Sequence, residues 1–61
     1  MKFTLNQQVR VTVGVFKGLT GQIVQSFETP EKYLVKFDLD HGPSTIHWYP
    51  NELERLVSNP N

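Results

Sequence analysis

The stretch Val9-Arg10-Val11-Thr12-Val13-Gly14-Val15-Phe16-Lys17-Gly18-Leu19-Thr20-Gly21-Gln22-Ile23-Val24 decides how this chain is read. Val9, Val11 and Val13 alternate with Arg10 and Thr12, the two-residue period of a strand with one buried face. Gln22 to Phe27 return as a second strand. Between them Gly14, Gly18 and Gly21 punctuate a loop, because glycine adopts the positive φ values that such loops need. Phe16 and Lys17 stand at its tip. In the returning strand the apolar positions Ile23, Val24 and Phe27 break strict alternation, which marks a β-bulge or a sharp bend.

Further along, Thr29-Pro30-Glu31-Lys32 reads as a β-turn with Pro30 presetting φ at its second position. A third strand spans Tyr33 to Asp38, with Tyr33, Val35 and Phe37 on one face. Leu39 to Pro43 make a turn through Asp40, His41 and Gly42. Ser44 to Tyr49 form a fourth strand, with Ile46 and Trp48 on one face and Thr45, His47 and Tyr49 on the other. Pro50-Asn51-Glu52-Leu53 predicts one 3₁₀ turn, Glu54 to Val57 a short last strand, and Ser58 to Asn61 a frayed tail.

No segment carries a sustained helical period. Five short strands without helices predict an all-β domain, closed into a small, strongly bent barrel because closure hides free sheet edges. At 61 residues the chain is one domain, with a barrel core from about Leu5 to Val57. A chain of this size buries only about 60% of its unfolded surface, so its core is small.

Composition narrows the function classes. There is no cysteine, so disulfides and thiolate metal sites are excluded, in keeping with a reducing cytoplasm. Met1 to Asn6 lack a signal-peptide pattern, and no run approaches the roughly 20 apolar residues of a membrane span. The chain therefore reads as soluble and cytoplasmic. Six Lys and Arg balance six Asp and Glu, which rules out the broad basic field that phosphate binding normally uses but leaves room for a local patch.

The run Val9-Arg10-Val11…Gly14-Val15-Phe16-Lys17-Gly18-Leu19…Gly21…Ile23-Val24 resembles a KOW motif, found in SH3-like barrels of ribosomal proteins and transcription elongation factors. Asn6 stands where that family often places a turn glycine, a mild substitution because Asn tolerates left-handed geometry. Val15 replaces a frequent proline. The ending Tyr49-Pro50-Asn51-Glu52-Leu53-Glu54-Arg55-Leu56 is similar to the closing 3₁₀ turn and last strand of SH3-like barrels. The resemblance, to a small bacterial or phage member, implies a five-stranded SH3-like barrel with one 3₁₀ turn before the last strand. It also implies a binding module whose Gly14–Gly21 loop contacts RNA, DNA or a nucleoprotein such as the ribosome or polymerase. A protein-interaction or accessory domain is the rival reading.

The candidate contact residues are Arg10, Phe16, Lys17, Lys36, His47 and Tyr49. Lys17 would meet a phosphate or acidic group while Phe16 stacks; alternatively Phe16 folds back over the barrel mouth and Lys17 is merely solvated. Arg10, Lys17, Lys36 and Arg55 form a basic surface if their strands are neighbours, diluted by Glu28, Glu31, Glu52 and Glu54. With Trp48 in the core, His47 and Tyr49 are exposed together, either to hold a base or peptide or to pack on Leu34 or Tyr33. Asp38, Asp40 and His41 lie close in sequence but in turn context, without calcium-loop spacing, so no metal is expected. No nucleophile elbow or phosphate-binding loop is present, and a filled small barrel leaves no enclosed pocket. An enzyme, a cofactor and a small-molecule substrate are accordingly not expected.

Overall fold

The computed structural model describes residues 2–56. The expected frayed tail, and Val57 at the end of the expected last strand, lie outside the described residues. Five strands form: β1 (Gln8–Val11), β2 (Thr20–Glu28), β3 (Glu31–Leu39), β4 (Gly42–Trp48) and β5 (Leu53–Arg55). Two 3₁₀ turns, Gly14–Phe16 and Pro50–Glu52, are added to them. All pairings are antiparallel, in the order β4-β3-β2-β1-β5. The fold is all-β, with a 3₁₀ turn immediately before the last strand. No helix among the described residues is long and apolar enough to cross a membrane.

The expected closure into a barrel is not made. β4 and β5 are the two edges of one open sheet. After β4 the chain makes its second 3₁₀ turn and returns as three residues that pair with β1, and among the described residues β5 does not pair with β4. An aromatic cluster forms around Trp48 of β4. Phe16, from the first 3₁₀ turn, meets the Trp48 ring edge-on at 6.0 Å, and Phe37 meets it at 6.3 Å.

The core is formed by Phe3, Val9, Val11, Ile23, Tyr33, Val35, Phe37 and Leu53, all buried. The alternation read for β3 is therefore correct. In β1 the pattern stops earlier than expected, because Val13 is exposed. The Gly18 N–H donates to the Val11 carbonyl at 2.8 Å, and the Thr12 N–H donates to the Glu52 carbonyl at 3.0 Å, so hairpin pairing ends before Val13. The core also begins earlier than Leu5, which is exposed, since Phe3 is buried with its ring 5.3 Å from Tyr33. Asn6 takes φ +69°, the left-handed turn anticipated at that position.

Both hairpin turns are tighter than the sequence reading. Glu28 pairs with Glu31, so the turn is Thr29-Pro30, with a cis peptide bond between them. Pro30 occupies the third turn position rather than the second, and Glu31 and Lys32 belong to β3. Leu39 pairs with Gly42, which leaves Asp40-His41 as the second turn and places Gly42 and Pro43 in β4. Two further segments read differently. Gly14–Phe16 is a 3₁₀ turn rather than irregular loop, and Gly21 lies within β2.

Candidate functional site

The β2–β3 register breaks between Ile23 and Gln25. The extra residue, Val24, shifts every later side chain of β2 to the opposite face. Ile23 is buried opposite Val35, but Phe27, four residues on, stands opposite Lys32 on the outer face. Beside it, β3 presents Lys32, Leu34 and Lys36 outward, and β4 presents His47 opposite Leu34 and Thr45 opposite Lys36. One end of the outer face thus carries an aromatic cluster. The Phe27 and His47 rings lie 5.4 Å apart, tilted by 50°, and Lys32 Nζ sits 5.5 Å from the Phe27 centroid.

Tyr49 follows β4 and begins the second 3₁₀ turn. Its N–H donates to Glu52 Oε1 at 2.9 Å, while the Glu52 N–H donates back to the Tyr49 carbonyl at 2.9 Å. This reciprocal pair fixes the entry to the turn and leaves the Tyr49 ring half in solvent. Lys32, His47, Trp48, Tyr49 and Glu52 line an open groove of about 300 Å³. The Trp48 indole Nε1 is buried with no acceptor among the described residues. A second, polar groove of about 260 Å³ runs past Gln8, Thr20, Gly21, Gln22, Lys36 and Asp38.

The six candidate contact residues separate into three groups. His47 and Tyr49 are exposed together, as expected, and Lys36 shares their face of the sheet. Arg10 also faces outward but is engaged, its Nη1 3.1 Å from Glu54 Oε2 on the neighbouring strand. Phe16 and Lys17 part company. Phe16 turns inward onto Trp48, whereas Lys17 remains exposed, its N–H closing the first 3₁₀ turn onto the Gly14 carbonyl at 3.2 Å. At the loop tip it is Val15 that stands in solvent, 95% exposed.

Arg55 does not join a basic surface with Arg10 and Lys36. Its register opposite Val9 turns it to the other side of the sheet, where its Nη2 donates to the Lys2 carbonyl at 3.2 Å. On that side the N-terminal segment is tied to β3. The Tyr33 hydroxyl donates to the Glu31 carboxylate and accepts the N–H groups of Lys2 and Phe3 at 2.9 and 3.1 Å. The Lys2 N–H also reaches Glu31 Oε2 at 2.9 Å. The Tyr33 hydroxyl, followed by the Lys2 amide, holds the Glu31 carboxyl below its ordinary pKa, and burial followed by the Glu31 hydrogen bond pushes Tyr33 up.

Among the described residues no three His, Asp or Glu side chains are grouped to hold a metal. Phe27 and Lys32 are not among the contact residues read from the sequence, and Leu34 enters there only as a packing neighbour for His47 and Tyr49. The broken alternation around Val24 was the signal for Phe27, because one inserted residue inverts the facing of each later residue in the strand. No protein-family model, curated protein or solved structure matches this chain.

Proposed function

We propose that this chain is a non-catalytic, SH3-like binding module of the KOW type, acting in the cytoplasm. It receives single-stranded nucleic acid, free or exposed in a nucleoprotein, on the outer face of β2, β3 and β4. The observation that carries the reading is the interleaving of rings and cations there: Phe27 against His47 at 5.4 Å, with Lys32 over Phe27 at 5.5 Å. Unpaired bases stack on such rings while nearby lysines meet phosphates, which needs no net positive charge on the whole chain. Tyr49 extends the stacking surface and Lys36 the cationic one. The contact is thereby moved from the Phe16–Lys17 loop tip to the sheet face.

With two lysines as phosphate partners, binding to a short oligonucleotide weakens with salt at a slope of about −1.4, from roughly −0.7 per phosphate on single strands. His47→Ala removes a stacking ring and costs about 1–3 kcal/mol of affinity. Lys32→Ala reduces the salt slope by about 0.7. Fluorescence anisotropy of labelled single-stranded RNA and DNA at several salt concentrations measures all three. Affinity unchanged in both variants would remove the outer face from the site.

A protein contact is the second reading, favoured by Val15 at 95% and Val13 at 41% exposure in the β1–β2 loop. Apolar side chains beside Lys17 serve a protein surface better than a phosphate backbone. Under that reading, binding of the partner responds to Val15→Asp and is insensitive to salt.

A further inference from the structure

β4 is an edge strand without the usual protection. Gly42–Trp48 contains no Lys, Arg, Asp or Glu, whereas the opposite edge, β5, is three residues long and carries Glu54 and Arg55. Short, charged edges resist pairing with another chain, and long uncharged ones invite it. The register tells which backbone groups of β4 are free. Pro43 stands opposite Asp38 and has no N–H, so this pair is not one that exchanges both hydrogen bonds. The alternation of antiparallel ladders then gives those bonds to Leu39–Gly42, Phe37–Ser44, Val35–Ile46 and Tyr33–Trp48. The N–H and C=O groups of Thr45 and His47 therefore point away from β3, and no strand pairs with that side among the described residues.

We infer that β4 pairs with β4 of a second copy of this chain, antiparallel about a two-fold axis at Ile46, joining two five-stranded sheets into one. In this register Thr45 of each copy stands opposite His47 of the other. The N–H and C=O groups of Thr45 and His47 on each edge are all used, giving four hydrogen bonds across the axis. A register centred on Thr45 makes as many bonds, with the His47 N–H donating to the Pro43 carbonyl, but sets Ile46 opposite Ser44 of the other copy instead of opposite its own equivalent.

Charge does not oppose this arrangement, since β4 has no Lys, Arg, Asp or Glu and no like charges meet across it. Ile46, half-buried at the edge of the core, meets its own copy on the axis.

This pairing is independent of nucleic-acid binding and is tested without any nucleic acid. Sedimentation equilibrium over a concentration series is expected to show a mass rising from 7.0 kDa towards twice that value. Backbone hydrogen exchange of the Thr45 and His47 amides slows about tenfold once nine-tenths of the chains are paired. Thr45→Pro removes a free-edge N–H that β3 does not use, and the folded variant stays monomeric at concentrations where the unaltered chain pairs. A monomer up to millimolar concentration overturns the inference. So does a dimer in which the Thr45 and His47 amides exchange at the monomer rate, or a folded Thr45→Pro variant that pairs undiminished. Should the variant not fold, the exchange comparison on the unaltered chain decides alone.

Discussion

At Gly21 an added Cβ would stand 2.6 Å from the Lys36 carbonyl oxygen and 2.7 Å from Val35 Cγ1. Its backbone is ordinary strand; the requirement for glycine is close approach to β3. Gly18 is the opposite case, with open space around a Cβ but φ at +96°. The two glycines therefore respond differently to the same substitutions. Gly21→Asn is expected to cost more than about 2 kcal/mol, because the clash is with backbone and a packed valine. Gly18→Asn costs under about 1 kcal/mol, and Gly18→Val about 1–2 kcal/mol or more, since Asn accepts positive φ better than a β-branched residue. Urea unfolding midpoints separate them, and equal losses for the two Asn variants would refute the distinction. The glycine pattern was plain in the sequence. That Gly21 answers to β3 rather than to its own φ was not, because the atoms it would strike belong to residues 14 and more positions away.

The β1–β2 hairpin shows how an element reassigns its own residues. Phe16 and Lys17 are neighbours in sequence, yet the 3₁₀ turn Gly14–Phe16 sends the ring to Trp48 and leaves the ammonium in water. Phe16→Ala is expected to lower stability by about 1–3 kcal/mol, the range of a partly buried ring with one aromatic contact. Affinity for oligonucleotides, measured on the folded fraction, stays within about twofold. A large loss of affinity with stability retained would return the contact to the loop. Hairpin β2–β3 shows the same principle through Val24, whose insertion carries Phe27 from the core side to the surface. The irregular alternation of Ile23, Val24 and Phe27 was legible, but the face each residue would take depends on where β3 places the break.

At the scale of the whole molecule, an open sheet without disulfides relies on packing and on a few ties between its ends. One of these is the Lys2–Glu31–Tyr33 set, which straps the N-terminal segment over Phe3. With the Glu31 carboxyl held below its ordinary pKa, the unfolded chain takes up this proton first as pH falls. Its contribution is fully present above the ordinary carboxylate pKa and disappears as pH drops through the lower folded-state value. Glu31→Gln is expected to flatten this part of the acid dependence, read from urea midpoints between about pH 7 and about pH 3. An unchanged acid profile would show that the tie does not stabilise the fold. The all-β class, all five strands with shifted ends, the second 3₁₀ turn and the joint exposure of His47 and Tyr49 were legible in the chain alone. Those features arise from local periodicity and turn chemistry, which act over a few residues. The open sheet, the Arg10–Glu54 ion pair, the contact of Phe16 with Trp48 and the place of Phe27 on the outer face were set by tertiary packing. Each depends on which distant strand lies alongside, and a two-residue period carries no record of its neighbour.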